Sequence, residues 1–287
     1  MPAREDQVNL NVRALAAEAI GTFILLTFGF LGVATLSVIA TQNQGGPVVA
    51  LIVIPFCFGL GLMAAIAVGG HASGGHYNPA VTLAALFDGR VTWQSAIGYV
   101  IAQVVGGFVA TLGILLVTTA DVVKNAVNAP GPTAETVLGQ DLHAFSTEAI
   151  LTAIFVAVIL TVTTKQPDKA ILVIPFTLVA IHYCGMLISG ASVNPVRSLA
   201  PAVVSGTYES LWVYLTGPFV GSVLCWGIYR FLTPPDDEIS VEIEEELDDE
   251  LDDELEDLLD GDDDELEEEE KPVARPSRTS GRRARRS

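Results

Sequence analysis

Apolar residues in this chain come in long runs, not at a period of two or of 3.6. Six such runs, at about residues 14–38, 48–68, 93–119, 146–164, 170–189 and 210–232, hold few charged side chains. A helix needs about 20 residues to cross the hydrocarbon of a bilayer, so the pattern predicts six transmembrane α-helices. The fourth and fifth runs are short and depend on packing against their neighbours. Gly59, Gly61, Gly106, Gly107 and Gly221 punctuate the runs, as close helix–helix approach in lipid requires.

Two shorter segments break this pattern. Asn78-Pro79 is followed by Ala80-Val81-Thr82-Leu83-Ala84-Ala85-Leu86-Phe87, and Asn194-Pro195 opens a second segment running to about Val204. Asn is a good N-cap and Pro is favoured at the first helical position, so each predicts a helix start. Both segments are too short to span and too apolar for an exposed loop. Glycine-containing stretches precede them, Gly74-Gly75-His76-Tyr77 and Gly190-Ala191-Ser192-Val193. Such backbone cannot face lipid with its carbonyls unsatisfied and must line a wet cavity.

The two segments belong to an internal repeat. Ala17-Glu18-Ala19-Ile20 opens the first run and Thr147-Glu148-Ala149-Ile150 the fourth, while the Asn-Pro pairs follow the second and fifth. Each half holds three spans, an odd number, so the second half enters the membrane upside down relative to the first. The fold class is therefore an all-α membrane protein: six transmembrane helices plus two re-entrant half-helices in an inverted repeat. The half-repeats cover about 12–120 and 140–232. A buried glutamate in a span must be paired or hydrogen-bonded, which marks Glu18 and Glu148.

Composition changes the picture at one end only. Half of the 287 residues are apolar and the mean hydropathy is +0.47, yet the formal charge is −19. Residues 236–270 carry 24 acidic side chains and 271–286 seven basic ones, leaving ten acidic and eight basic in 1–235. The chain thus divides into a nearly neutral membrane domain, 1–235, and an acidic then basic tail, 236–287. Leu247, Leu251, Leu255, Leu258 and Leu259 fall at helical spacing, but the charge density predicts a solvated, mostly disordered tail. A transient amphipathic helix or an arm for an unidentified partner is the alternative. Arg282-Arg283-Ala284-Arg285-Arg286 suits anionic lipid or the acidic run itself, and the acidity suits a halophilic host.

Arg4, Arg13, Arg90, Lys165, Lys169 and Arg230 share one side of the predicted bundle, against Lys124 on the other. That bias predicts a multi-pass cell-membrane protein with both termini cytoplasmic. Ala17 to Ala40 is too long for a signal-peptide core and lacks a cleavage site. Cys57, Cys184 and Cys225 lie in apolar runs and read as small core hydrophobes. No nucleophile–base set or metal-ligand spacing appears, so neither an enzyme nor a metal, cofactor or nucleic-acid partner is expected.

Over about residues 12–232 the chain resembles the aquaporins, the major intrinsic proteins. The resemblance rests on His71-Ala72-Ser73-Gly74-Gly75-His76-Tyr77-Asn78-Pro79-Ala80-Val81-Thr82 and Ser189-Gly190-Ala191-Ser192-Val193-Asn194-Pro195-Val196-Arg197-Ser198. Tyr99-Val100-Ile101-Ala102-Gln103 and Gly217-Pro218-Phe219-Val220-Gly221 add to it. Val196 departs from the alanine usual there, which implies altered packing.

The resemblance implies a passive channel in a homotetramer, with water and membrane lipid as its partners. Asn78 and Asn194 would donate to a passing water. Carbonyls of Gly74, Gly75, His76, Tyr77, Gly190, Ala191, Ser192 and Val193 would accept from it, on loops held by Glu18 and Glu148. The constriction carried over from the family is Phe58, His182, Ala191 and Arg197, a combination resembling water-selective members. Glycerol-conducting relatives usually have a small residue for the histidine and an aspartate after the arginine, where this chain has Ser198. Leu215, where water channels often have tryptophan, points the other way and leaves a glycerol or small-solute facilitator as the alternative.

Overall fold

The computed structural model describes residues 11–41, 46–131 and 139–233. The first half holds α1 (Val12–Thr41), α2 (Gly46–Ser73), α3 (Pro79–Phe87), α4 (Trp93–Val117) and α5 (Ala120–Asn125). The second holds α6 (Gln140–Lys165), α7 (Ala170–Gly185) after one 3-10 turn, α8 (Pro195–Ser205) and α9 (Leu211–Leu232). Among the described residues six helices are long and apolar enough to cross a membrane: α1, α2, α4, α6, α7 with its preceding turn, and α9. The tail from residue 236, with its spaced leucines and terminal arginines, and Arg4 lie outside the described residues.

Several boundaries depart from the apolar pattern for local reasons. Helix α6 begins at Gln140, ahead of the apolar run, because its polar first turn has partners. Asp141 accepts from Ser210 Oγ at 2.6 Å and from Trp212 Nε1 at 3.0 Å. Helix α7 stops at Gly185 rather than near residue 189, and the chain leaves it in turns closed by Ile188 N and Ser189 N on the Gly185 carbonyl. The short α5 has no counterpart in the hydrophobic pattern; its Val122 and Val123 are buried in the core.

Packing repeats between halves. Helix α1 lies against α2 and α4 as α6 lies against α7 and α9, while α3 crosses to α9 as α8 crosses to α4. Two glycines allow the closest approaches. A Cβ added at Gly106 would stand 2.2 Å from the Ala19 carbonyl oxygen, and one at Gly221 would stand 2.1 Å from that of Ala149. The long helices turn large apolar side chains outward, among them Phe23, Ile101, Ile154, Phe176 and Ile228. Lipid is the solvent that tolerates such a surface. Of the cysteines, Cys225 is buried, Cys57 partly so, and Cys184 is exposed, so the core-hydrophobe reading does not hold for Cys184.

Candidate functional site

Residues 74–77 and 190–193 lead into α3 and α8 along matching paths. Gly74 and Gly190 have φ of 91° and 84°, Gly75 and Ala191 71° and 48°, and Tyr77 and Val193 50° and 46°. For a β-branched valine the left-handed region is strained and persists only where the surroundings impose it. A buried glutamate does so in each half. Glu18 accepts from Ser73 Oγ, His76 N, Tyr77 N and Gln103 Nε2 at 2.6–2.9 Å. Glu148 accepts from Ser189 Oγ, Ser192 N and Val193 N at 2.7–2.9 Å. Each carboxylate thus takes up loop N–H groups that the absence of secondary structure leaves unpaired.

The asparagines follow directly. Asn78 Oδ1 accepts from Ala80 N at 2.9 Å and Asn194 Oδ1 from Val196 N at 3.1 Å, capping α3 and α8. The other end of each amide reaches across the molecule. Asn78 Nδ2 donates to the Val193 carbonyl at 2.7 Å, and Asn194 Nδ2 to the Tyr77 carbonyl at 2.9 Å. The two short helices therefore meet N-terminus against N-terminus. An amide nitrogen carries two hydrogens, so one of each pair is left for another acceptor.

Both asparagines line a cavity of about 260 Å³. Phe58, His182 and Arg197 line it together with them, and so do Arg90, Val91 and Thr163. One wall is apolar, with Leu25, Leu62, Ile66, Ile159 and Ile174 among its residues. Polar groups come from the loops and asparagines and from Arg90, Thr163, His182 and Arg197.

The rings of Phe58 and His182 stack at 4.5 Å between centroids and 18° between planes. The Arg197 guanidinium carbon lies 5.0 Å from the Phe58 centroid. Gly29 leaves room for the phenyl ring, since a Cβ there would come within 2.2 Å of it. His182 Nδ1 is 2.9 Å from the Leu178 carbonyl, which can only accept, so Nδ1 carries a hydrogen. His182 Nε2 is buried without a partner among the described residues. In a neutral ring Nε2 is then the acceptor.

Ala191, carried over from the family as the fourth position of the constriction, is buried beside Gly185 and is not among the residues lining this cavity. Of the eight residues nominated for their carbonyls, Gly74, Gly75, His76, Ser192 and Val193 line it. Tyr77, Gly190 and Ala191 do not. The Tyr77 and Gly190 carbonyls accept from the amides of Asn194 and Asn128. Val196 packs where Gly107 has no side chain, which gives the predicted packing change a specific seat.

Two residues at the site had no signal of their own in the sequence. Asn128, past the end of α5, contacts Arg197, Ser198 and Gly190. Arg90 joins the end of α3 to the end of α6, with bonds of 2.6–3.1 Å to Asp88, Thr163, Thr164 and the Leu160 carbonyl. A scan for interrupted hydrophobic runs registers neither.

The model of the major intrinsic protein family matches residues 5–229. The chain belongs to that family. It is 40% identical over 225 residues to the glycerol uptake facilitator protein-like 6 of Lactiplantibacillus plantarum, covering 74% of this chain and 94% of that one. It is 34% identical over 234 residues to aquaporin Z of Photorhabdus laumondii, covering 77% and 97%. Among solved structures, the aquaglyceroporin of Plasmodium falciparum superimposes with a TM-score of 0.66 at 25% identity, covering 76% of this chain and 95% of that one. Family membership makes the chain a small-molecule membrane channel and not an enzyme.

Proposed function

We propose that this chain is a passive water channel that excludes protons and ions. The observation that carries the reading is the stack of Phe58 on His182 beneath the Arg197 guanidinium, all three lining one cavity. Two planar rings and a fixed cation make a narrow passage with an acceptor, His182 Nε2, for a hydrogen of the permeant. In this reading α3 and α8 are re-entrant half-helices, and the free N–H groups of Asn78 and Asn194 donate to water at their junction. Gly74, Gly75, His76, Ser192 and Val193 supply carbonyl acceptors along the path.

Charge exclusion follows from the same geometry. Each half-helix N-terminus carries roughly +0.5 charge. At about 5 Å and an effective dielectric of about 20, each repels a unit cation by roughly 1.7 kcal/mol, about 3 for the two together. Arg197 adds a comparable repulsion at the constriction, and desolvating the cation adds more. A neutral molecule meets none of these barriers.

Glycerol or another small neutral solute is the competing permeant. The names of the relatives favour it more than they favour water: the 40% identical protein is a glycerol uptake facilitator-like protein and the superimposed structure is an aquaglyceroporin. Reconstituting the full chain in liposomes decides between them. Fast shrinkage under an impermeant osmolyte with little re-swelling under glycerol is the expected result. Equally fast glycerol entry makes the chain a facilitator.

The reading also places the channel in residues 1–235, with both termini cytoplasmic and four copies in the membrane. Protein truncated after residue 235 is expected to keep its unit water permeability, and native mass spectrometry is expected to return a tetramer.

A further inference from the structure

Leaving α5, the chain turns back into the molecule. Ala126 is buried with Val122 and Val123, and Gly131 N donates to the Ile188 carbonyl at 2.8 Å. This path carries Asn128, 4% exposed, to the constriction. Arg197 Nη1 donates to the Ala126 carbonyl at 2.8 Å and also to Asn128 Oδ1. Ser198 Oγ donates to the same oxygen at 2.7 Å. Asn128 Nδ2 donates to the Gly190 carbonyl at 3.1 Å.

These contacts call for an amide. A guanidinium only donates and a backbone carbonyl only accepts, so the bridging side chain needs an acceptor and a donor on one short head. Aspartate lacks the donor and leucine lacks both. On its other side the guanidinium meets the Phe58 ring. Arg197 Nε is buried without a partner among the described residues, so the orientation of the head rests chiefly on Nη1. Anchoring the loop alone needs no such arrangement, because Gly131 and the buried valines already hold it.

We propose that Asn128 is a positioning residue for selectivity, holding Arg197 in place from the segment between the two halves of the repeat. The proposal rests on the reading of Arg197 as the fixed charge of the constriction. If the guanidinium moves from about 5 to about 8 Å from the path, its repulsion at an effective dielectric of about 20 weakens enough to raise cation leak roughly eightfold.

The test measures proton leak with a trapped pH dye and water permeability by light scattering, in proteoliposomes of the full chain. The variants are Asn128→Ala, Asn128→Asp, Arg197→Val and the double Asn128→Ala/Arg197→Val. Asn128→Ala is expected to raise the leak while water flux stays of similar order, and the double variant to leak no more than Arg197→Val alone. Asn128→Asp keeps the acceptors but sets a carboxylate against the guanidinium; it is expected to leak too, and carries the test should the alanine variant not insert. A leaky Arg197→Val with tight Asn128 variants overturns the proposal, as does an Asn128 leak that adds to that of Arg197→Val. A tight Arg197→Val overturns the reading beneath it, and the proposal with it.

Discussion

Asn78 donates from its side-chain amide to the backbone carbonyl of Val193 at 2.7 Å, a bond spanning 115 positions of sequence. Its counterpart runs from Asn194 to Tyr77. Both acceptors are left-handed residues, and each lies one position before the opposite asparagine. The amide that starts one short helix therefore also fixes the loop that starts the other, so the two half-sites hold each other in place.

Replacing Asn78 with Ser isolates that bond, because serine keeps the N-cap and loses the long donor. A neutral hydrogen bond contributes about 1 kcal/mol net, so Asn78→Ser and Asn194→Ser are expected to lower the melting temperature in detergent by similar amounts. Unit water permeability is expected to fall in both. A melting curve unmoved in either variant means the cross-molecule bond contributes nothing.

The glutamates are expected to be less tolerant. In Glu18→Gln or Glu148→Gln an NH2 replaces an oxygen that faces loop N–H donors, setting donor against donor. Leaving buried groups unpaired next to a lost charge costs about 3 kcal/mol or more. Glu18→Gln is expected to be the more damaging, since Gln103 Nε2 adds a fourth donor to that carboxylate. The measurement is the yield of monodisperse protein on size exclusion after detergent extraction. Wild-type yield from both variants contradicts the assignment of these carboxylates as loop holders.

Much of the fold was legible because lipid imposes blunt rules. Uninterrupted apolar runs announced the spans, and the matched Glu and Asn-Pro positions announced a repeat that the helix packing follows. The contacts of Asn128 and Arg90 were illegible for a physical reason. Arg90 makes three of its four bonds to residues of the second half, and Asn128, between the halves, bonds Gly190, Arg197 and Ser198 of the second half; nothing in the neighbouring sequence differs from an ordinary loop or helix end. The start of α6 was missed because its first turn is polar and is held by Ser210 and Trp212, distant in sequence. Phe58 and His182 were nominated only through the family resemblance, for neither position stands out by periodicity, and their stacking had no signal in the sequence.

Glycine positions separate by what surrounds them. Gly106→Ala and Gly221→Ala each drive a methyl group into a backbone carbonyl that cannot rotate away, whereas a Cβ at Gly227 meets nothing within 4 Å. Overpacking of this kind costs about 1–3 kcal/mol. The first two variants are expected to melt several degrees lower and Gly227→Ala to match wild type. Equal melting of all three would place the tight approach of α1 on α4, and of α6 on α9, elsewhere.

The prediction with most bearing on function concerns Phe58 and His182. Their stack at 4.5 Å narrows the cavity beside Arg197, with His182 pinned through Leu178 and Phe58 seated over Gly29. In the proposed reading water is expected to pass beside the stacked rings with a hydrogen bond to His182 Nε2, while glycerol, being wider, is expected to have to displace them. Replacing both residues with Ala removes them and leaves Asn78, Asn194 and Arg197 in place. If the rings raise the barrier to glycerol by about 1.4 kcal/mol, their removal raises glycerol flux about tenfold. Water flux is expected to stay of similar order. The measurement is light-scattering recovery after an inward glycerol gradient, in liposomes of matched protein content. If wild-type protein already passes glycerol as freely as the double variant, the rings do not exclude it. The chain is then a glycerol facilitator, as the names of its relatives favour.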